Sequence, residues 1–203
     1  MIFMSNKSLN KTRVIAGCGV LTAVAVVLQY LEFPLPMLIP PFIKLDFSDL
    51  PEIIGAFAYG PLAGVIIALV KNIIHMAVSQ SGFVGELSNF ILGAVFAFTA
   101  GIIYKKHKTK KTALAAGICA AVCMAAVSLP LNYFVIYPLY YNLLGFPEAA
   151  VLEMYQSILP SVKNMVSALI IFNIPFTLCK GLIDVLFTML IYKPLSHILK
   201  GKS

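Results

Sequence analysis

Apolar positions run along this chain in long blocks rather than in short alternations. Five stretches stand out, roughly 14–31, 53–70, 84–104, 112–138 and 164–192. At about 1.5 Å per helical residue, each approaches or exceeds the thickness of a hydrocarbon core of about 30 Å. The second block carries a break. In "AFAYGPLAG" Gly60 permits a reversal and Pro61 cannot continue an existing helix. The pattern therefore predicts a short helix over 51–59 and a second helix over 61–79.

Basic residues set the number of crossings. Lys7, Lys11 and Arg13 precede the first block, five lysines lie in "KKHKTKK" (105–111), and Lys193, Lys200 and Lys202 close the chain. With a cytoplasmic N-terminus, five crossings would leave two of these clusters outside, against the positive-inside rule. One more crossing, supplied by the Gly60-Pro61 break, repairs both. The expectation is an all-α membrane protein of six transmembrane helices with a short second helix and both termini cytoplasmic. That second helix is too brief to cross unaided and needs protein or a water-lined cavity at its ends. Eleven of the fifteen basic residues then fall on the cytoplasmic side, and none of the eight acidic ones does.

Composition narrows the function. The chain has 203 residues, is 60% hydrophobic and has a mean hydropathy of +0.93. It reads as a single integral membrane domain over 1–203, with a bundle over about 13–193 and cytoplasmic ends at 1–12 and 194–203. No G-x-x-x-x-G-K-[ST] loop occurs, so energy from ATP must come from a partner. The net charge of +7 is loop charge that orients a membrane protein, not a nucleic-acid footprint. The first block follows a basic start, as a signal peptide would. At 18 residues it is long for one and ends without a small-residue cleavage pattern, so it reads as a retained helix. Cys18, Cys119, Cys123 and Cys179 lie inside apolar runs and read as packing residues, not metal ligands. Small residues recur at helical spacing: Gly19 and Ala23 on the first helix, and Gly93, Ala97 and Gly101 on the fourth. Such ridges let helices approach closely, within the bundle or against a partner.

Ionisable groups at membrane depth are costly and mark sites or pathways. Lys71, Glu86, Lys180 and Asp184 are the candidates, with the amides Asn72, Asn89, Asn132 and Asn173 beside them. Helix rise places most of them in the outer half of the bundle. Asp184, at i+4 from Lys180, is the expected counter-ion of that lysine. Amides with one lysine suit a neutral, hydrogen-bonding small molecule, although a polar network tying helices together uses the same residues. "KLDFSDLPE" (44–52), with Leu45 and Asp46, then reads as a polar, hydrated lid. The apolar "FPLPMLIPPF" before it reads as a proline-stiffened strap able to cover a flat ligand.

"KLDFSDLPEIIGAFAYGPLAG", "VKNIIH", "SNFILGAVF", "LNYFVIYP" and "PFTLCKG" occur in an order that resembles the riboflavin-binding S components (RibU type) of energy-coupling-factor transporters. The resemblance runs from about Arg13 to Lys193. It implies a membrane protein that binds riboflavin from outside and delivers it when docked onto a transmembrane coupling protein with two ATPase subunits. It requires no cofactor; riboflavin is cargo. By the resemblance, Asn132 and Lys180 meet the polar edge of the flavin. Thr177 stands where the family's "PFNxxKG" has Asn, with Asn173 one turn earlier as a substitute. Gly19 and Ala23 match the family's docking face. Rival readings are an S component for another vitamin, a purely structural membrane subunit, and an intramembrane enzyme using Asp46, Asp49 and Glu52 as a metal cluster.

Overall fold

The computed structural model describes residues 11–199, with side chains to Tyr192. Lys7, Lys200 and Lys202 lie outside the described residues, as does the side chain of Lys193. Helix α1 spans Lys11–Tyr30. A two-residue antiparallel ladder comes next, β1 (Phe33–Pro34) with β2 (Lys44–Leu45), pairing Phe33 with Leu45 and Pro34 with Lys44. It closes the proline-rich strap into a loop. Helix α2 is Asp49–Tyr59 and α3 is Pro61–His75, extended by a 3₁₀ turn at Met76–Val78. Helix α4 spans Val84–Lys106 and α5 spans Lys110–Leu131. A π turn over Asn132–Ile136 leads into α6, Tyr137–Leu143. Then come α7 (Glu148–Ile158), α8 (Met165–Ala168), a second π turn at Leu169–Asn173, and α9 (Ile174–Leu199).

Five of these helical runs are long and apolar enough to cross a membrane: Lys11–Tyr30, Pro61–Val78, Val84–Lys106, Lys110–Leu143 and Met165–Tyr192. The short helix α2 lies among them, buried at Asp49 and at every residue from Pro51 to Ala58. Protein therefore covers this 11-residue helix. It begins at Asp49, two residues before the position the sequence pattern indicates. The Gly60-Pro61 break is where that pattern places it. Gly60 adopts φ 106°, a value L-residues avoid, and Pro61 opens α3, where its missing N–H costs nothing.

Close packing explains the glycine ridge of α4. A Cβ on Gly101 would lie 2.7 Å from the Pro61 Cα, and one on Gly93 would lie 2.5 Å from a Glu52 carboxylate oxygen. That ridge is internal. The core joins Ile53 and Phe57 of α2, Phe96 and Tyr104 of α4, the alanines of α5, and Val185 of α9. Large apolar residues such as Ile15, Val20 and Leu190 face outward, as lipid contact demands.

Helix α7 is an element the apolar blocks do not indicate. Val151 and Tyr155, four residues apart, face inward and pack with Ile39 of the strap, Val162 and Met165. The strap is thereby pinned to the bundle, with Ile39 fully buried.

Candidate functional site

Two lysines organise the strap end of the bundle. Lys71, on α3, is fully buried and lies 2.9 Å from Asp49 Oδ1 and 2.6 Å from Glu52 Oε1. It also donates to the Ser48 hydroxyl. Lys180, on α9, lies 3.0 Å from Asp46 Oδ2 and 3.0 Å from Asp49 Oδ2. Asp49 thus bridges both cations. Asp46 Oδ1 accepts from the Ser48 backbone N–H at 2.8 Å and from its hydroxyl, which curls the chain into the start of α2.

This overturns two sequence expectations. "KLDFSDLPE" is not a hydrated lid, because Asp46, Ser48, Asp49 and Glu52 are each at most 2% exposed. The three acids are carried inward as the counter-charges that buried lysines require, and Ser48 accepts a hydrogen bond from Lys71. Asp184 is not the counter-ion of Lys180: neither of its carboxylate oxygens has a hydrogen-bond partner, and the lysine points to Asp46 and Asp49 instead. Burial alone would push the Asp46 carboxyl up. The Lys180 and Lys71 ammoniums and the bonds from Ser48 outweigh that and hold it below the usual carboxylate range. The three acids of the enzyme reading are thus spent on lysines, and among the described residues no three His, Cys, Asp or Glu side chains are grouped to hold a metal ion.

Above the lysines lies a cavity of about 340 Å³. Asp46, Asn89, Asn132, Asn173, Thr177 and Lys180, six of the expected binding residues, line it. Leu45, Lys71 and Asn72 do not. Leu45 is a half-buried member of β2. Lys71 stands behind the wall. Asn72 accepts from Gln29 at 2.9 Å and donates to the Ala68 carbonyl at 2.8 Å, tying α1 to α3. Glu86 is held by His75 Nδ1 at 3.0 Å and by the Ser79 hydroxyl at 2.8 Å. Asn89 Nδ2 is 3.4 Å from Asp46 Oδ2, and its Oδ1 is buried without a partner.

Apolar and aromatic walls complete the cavity, with Phe42, Leu92, Met124, Tyr137, Tyr140 and Phe176. Phe42 stacks at a tilt on Tyr140, with centroids 5.5 Å apart, so the strap supplies one aromatic wall. Sequence reasoning does not single out Tyr137, Tyr140 or Phe176. The reason is local. Both π turns end two residues before a proline, at Ile136 ahead of Tyr137-Pro138 and at Asn173 ahead of Ile174-Pro175. Each closes with an i→i−5 bond, Tyr137 N–H to the Asn132 carbonyl and Ile174 N–H to the Leu169 carbonyl. Proline cannot donate and crowds the carbonyl four residues back, and a widened turn relieves that contact. The extra residue rotates the next turns about the helix axis, so a 3.6-residue period misassigns the inward face. Asn132 opens one π turn and Asn173 ends the other. "NYFVIYP" and "LIIFNIP" were the signals available.

A family model described as "ECF transporter, substrate-specific component" matches residues 13–192. A protein of Staphylococcus aureus (strain TCH60) named "Riboflavin transporter RibU" is 36% identical over 182 residues, covering 90% of this chain and 89% of the relative. The "Riboflavin transporter FmnP" of Bacillus subtilis (strain 168) is 31% identical over 187 residues, covering 90% of this chain and 92% of the relative. A solved structure described as "Structure and mechanism of the S component of a bacterial ECF transporter" superposes with a TM-score of 0.73 at 35% identity. That match covers 94% of this chain and 99% of the other.

Proposed function

From the premise that this chain belongs to the ECF transporter substrate-specific component family, we propose that it captures riboflavin at the strap end of its bundle for delivery inward. The observation that carries this reading is the cavity wall, in which amides and one lysine are set among aromatic side chains. The cavity falls at the lower end of the range for small-ligand pockets, about 300–1,000 Å³. Riboflavin is a flat, neutral ring system with carbonyl acceptors along one edge and a polar ribityl chain. Phe42, Tyr140 and Phe176 suit the ring. Asn132, Asn173, Thr177 and Lys180 suit its polar edge.

The ion pairs give Lys180 a defined role. Of its three N–H donors, two face Asp46 and Asp49. The third is left for a ligand acceptor, held at a fixed place by two charges below it. Asp46 positions the lysine, and Asn89 adds an amide beside it. Lys71 and Asn72 act from behind, by holding α2 and α1 in place. Leu45 belongs to the ladder that closes the strap.

The six-crossing topology, with α2 as the short second helix and both ends of the single domain cytoplasmic, puts the cavity outside and the "KKHKTKK" loop inside. Uptake then depends on a coupling protein and two ATPase subunits. Gly19 and Ala23 are exposed, and a Cβ on Gly19 would touch nothing within 4 Å. This favours a docking face over packing within the bundle.

Titrating the purified chain with riboflavin while following flavin fluorescence tests the reading. Saturable quenching at one riboflavin per chain, without ATP or metal, is expected. Saturable binding of thiamine or biotin with no flavin quenching would assign the cavity to another vitamin.

A further inference from the structure

The side chains that face the cavity have partners behind them, and one such partner determines what the cavity can recognise. We propose that Tyr155, on α7, is a positioning residue that fixes Asn173 as a hydrogen-bond donor toward the ligand. It thereby selects which edge of a flavin the site accepts. The inference rests on the riboflavin reading above.

Tyr155 is fully buried and does not line the cavity; Asn173 and Tyr137 do. The Tyr155 hydroxyl donates to Asn173 Oδ1 at 2.6 Å. Asn173 Nδ2 donates to the Tyr137 hydroxyl oxygen at 3.2 Å. The Tyr137 and Tyr155 hydroxyls bond to each other. Each phenol has a single proton. That of Tyr155 goes to Asn173, so the Tyr137–Tyr155 bond must use the proton of Tyr137. The three groups form a closed ring in which every bond runs the same way round.

The distances support this orientation of the amide. The contact to Tyr155 has O–H···O length, about 2.5–3.0 Å, and the contact to Tyr137 lies at the long end for N–H···O. Chains of hydrogen bonds in a low-dielectric interior polarise and strengthen one another. The ring has a chemical consequence for the cavity. Tyr137 has spent its proton and meets a ligand only as an acceptor. Asn173 has its oxygen engaged and one N–H left over. Without Tyr155 the amide could turn over and present oxygen instead. Tyr155 reaches this place because α7 buries Val151 and Tyr155 together against the strap residue Ile39. The outer helix therefore acts on ligand recognition without touching the ligand.

A double-mutant cycle on riboflavin affinity tests this, with fluorescence quenching as readout. Tyr155→Phe removes one oxygen and keeps the ring volume. It should raise Kd about tenfold, the equivalent of one hydrogen bond. Asn173→Ala should raise Kd at least as much, and the double variant should bind no worse than Asn173→Ala alone. A role limited to packing predicts instead that the two losses multiply. Asn173→Asp supplies an arm independent of how Tyr155→Phe folds, since it keeps the side-chain shape but replaces the donor by an acceptor. It should bind no better than Asn173→Ala. Unchanged affinity in Tyr155→Phe, multiplicative losses, or unaltered affinity in Asn173→Asp would each overturn the proposal while leaving riboflavin binding intact. Absence of riboflavin binding by the unaltered chain would overturn both readings, and is told apart by that control.

Discussion

Replacing Lys71 with methionine separates a structural lysine from a ligand-binding one. The Lys71 ammonium is fully enclosed, 2.9 Å from Asp49 and 2.6 Å from Glu52. Methionine fills much the same space but leaves those carboxylates without their cation. Asp49 keeps Lys180 at 3.0 Å. Glu52 does not fare as well: neither of its oxygens accepts a hydrogen bond, and among the described residues Lys71 is its only ion-pair partner. Removing one member of a buried pair costs about 3–5 kcal/mol, because the other group is left desolvated and unpaired. At about 2–4 °C per kcal/mol for a chain of this size, thermal unfolding in detergent should shift down by about 10 °C. The second substitution in Lys71→Met/Glu52→Gln removes the stranded carboxyl and should restore roughly half of the loss or more. Riboflavin affinity, measured where the single variant is still folded, should change little. A Lys71→Met protein that melts like its parent would refute the ion-cluster argument. One that keeps its melting temperature but loses flavin would make Lys71 a ligand contact after all.

Lys180→Ala should weaken riboflavin binding by about 1.5–3 kcal/mol, as loss of a charge-assisted bond predicts. Thr177→Asn should keep or improve affinity; unchanged quenching titrations for Lys180→Ala would move the site elsewhere. A cysteine placed in the 105–111 loop should be labelled only from the cytoplasmic side, and one at Met37, an exposed residue of the strap, only from outside. Labelling of both from one face would end the six-crossing topology. Gly19→Leu with Ala23→Leu should leave flavin affinity nearly unchanged and abolish uptake in cells supplying the coupling protein and ATPases. If binding and uptake fall together, the docking face lies elsewhere.

The features the sequence determined by itself are those set by short-range sterics and by solvent. Runs of apolar residues have one stable home, so the long spans were legible. Gly60-Pro61 joins a residue free to adopt positive φ to one without an N–H, and the break is there. Six cavity residues were also legible, because a polar group at membrane depth requires a partner and tends to mark a site. Which partner each group takes was a tertiary matter. Spacing placed Asp184 beside Lys180, yet the lysine reaches Asp46, 134 residues away in the chain. An i+4 relation states only that two residues share a face; it says nothing of what another element brings closer. The acids of "KLDFSDLPE" had to be read as hydrated until the bundle showed two buried cations that required them. The aromatic wall was hidden for a different reason. The helical period that locates inward faces fails at the two π turns, and only the packed structure shows where the period resumes. Tyr155 was out of reach on both counts, since its helix lies outside the long apolar spans and its partners come from α6 and the second π turn.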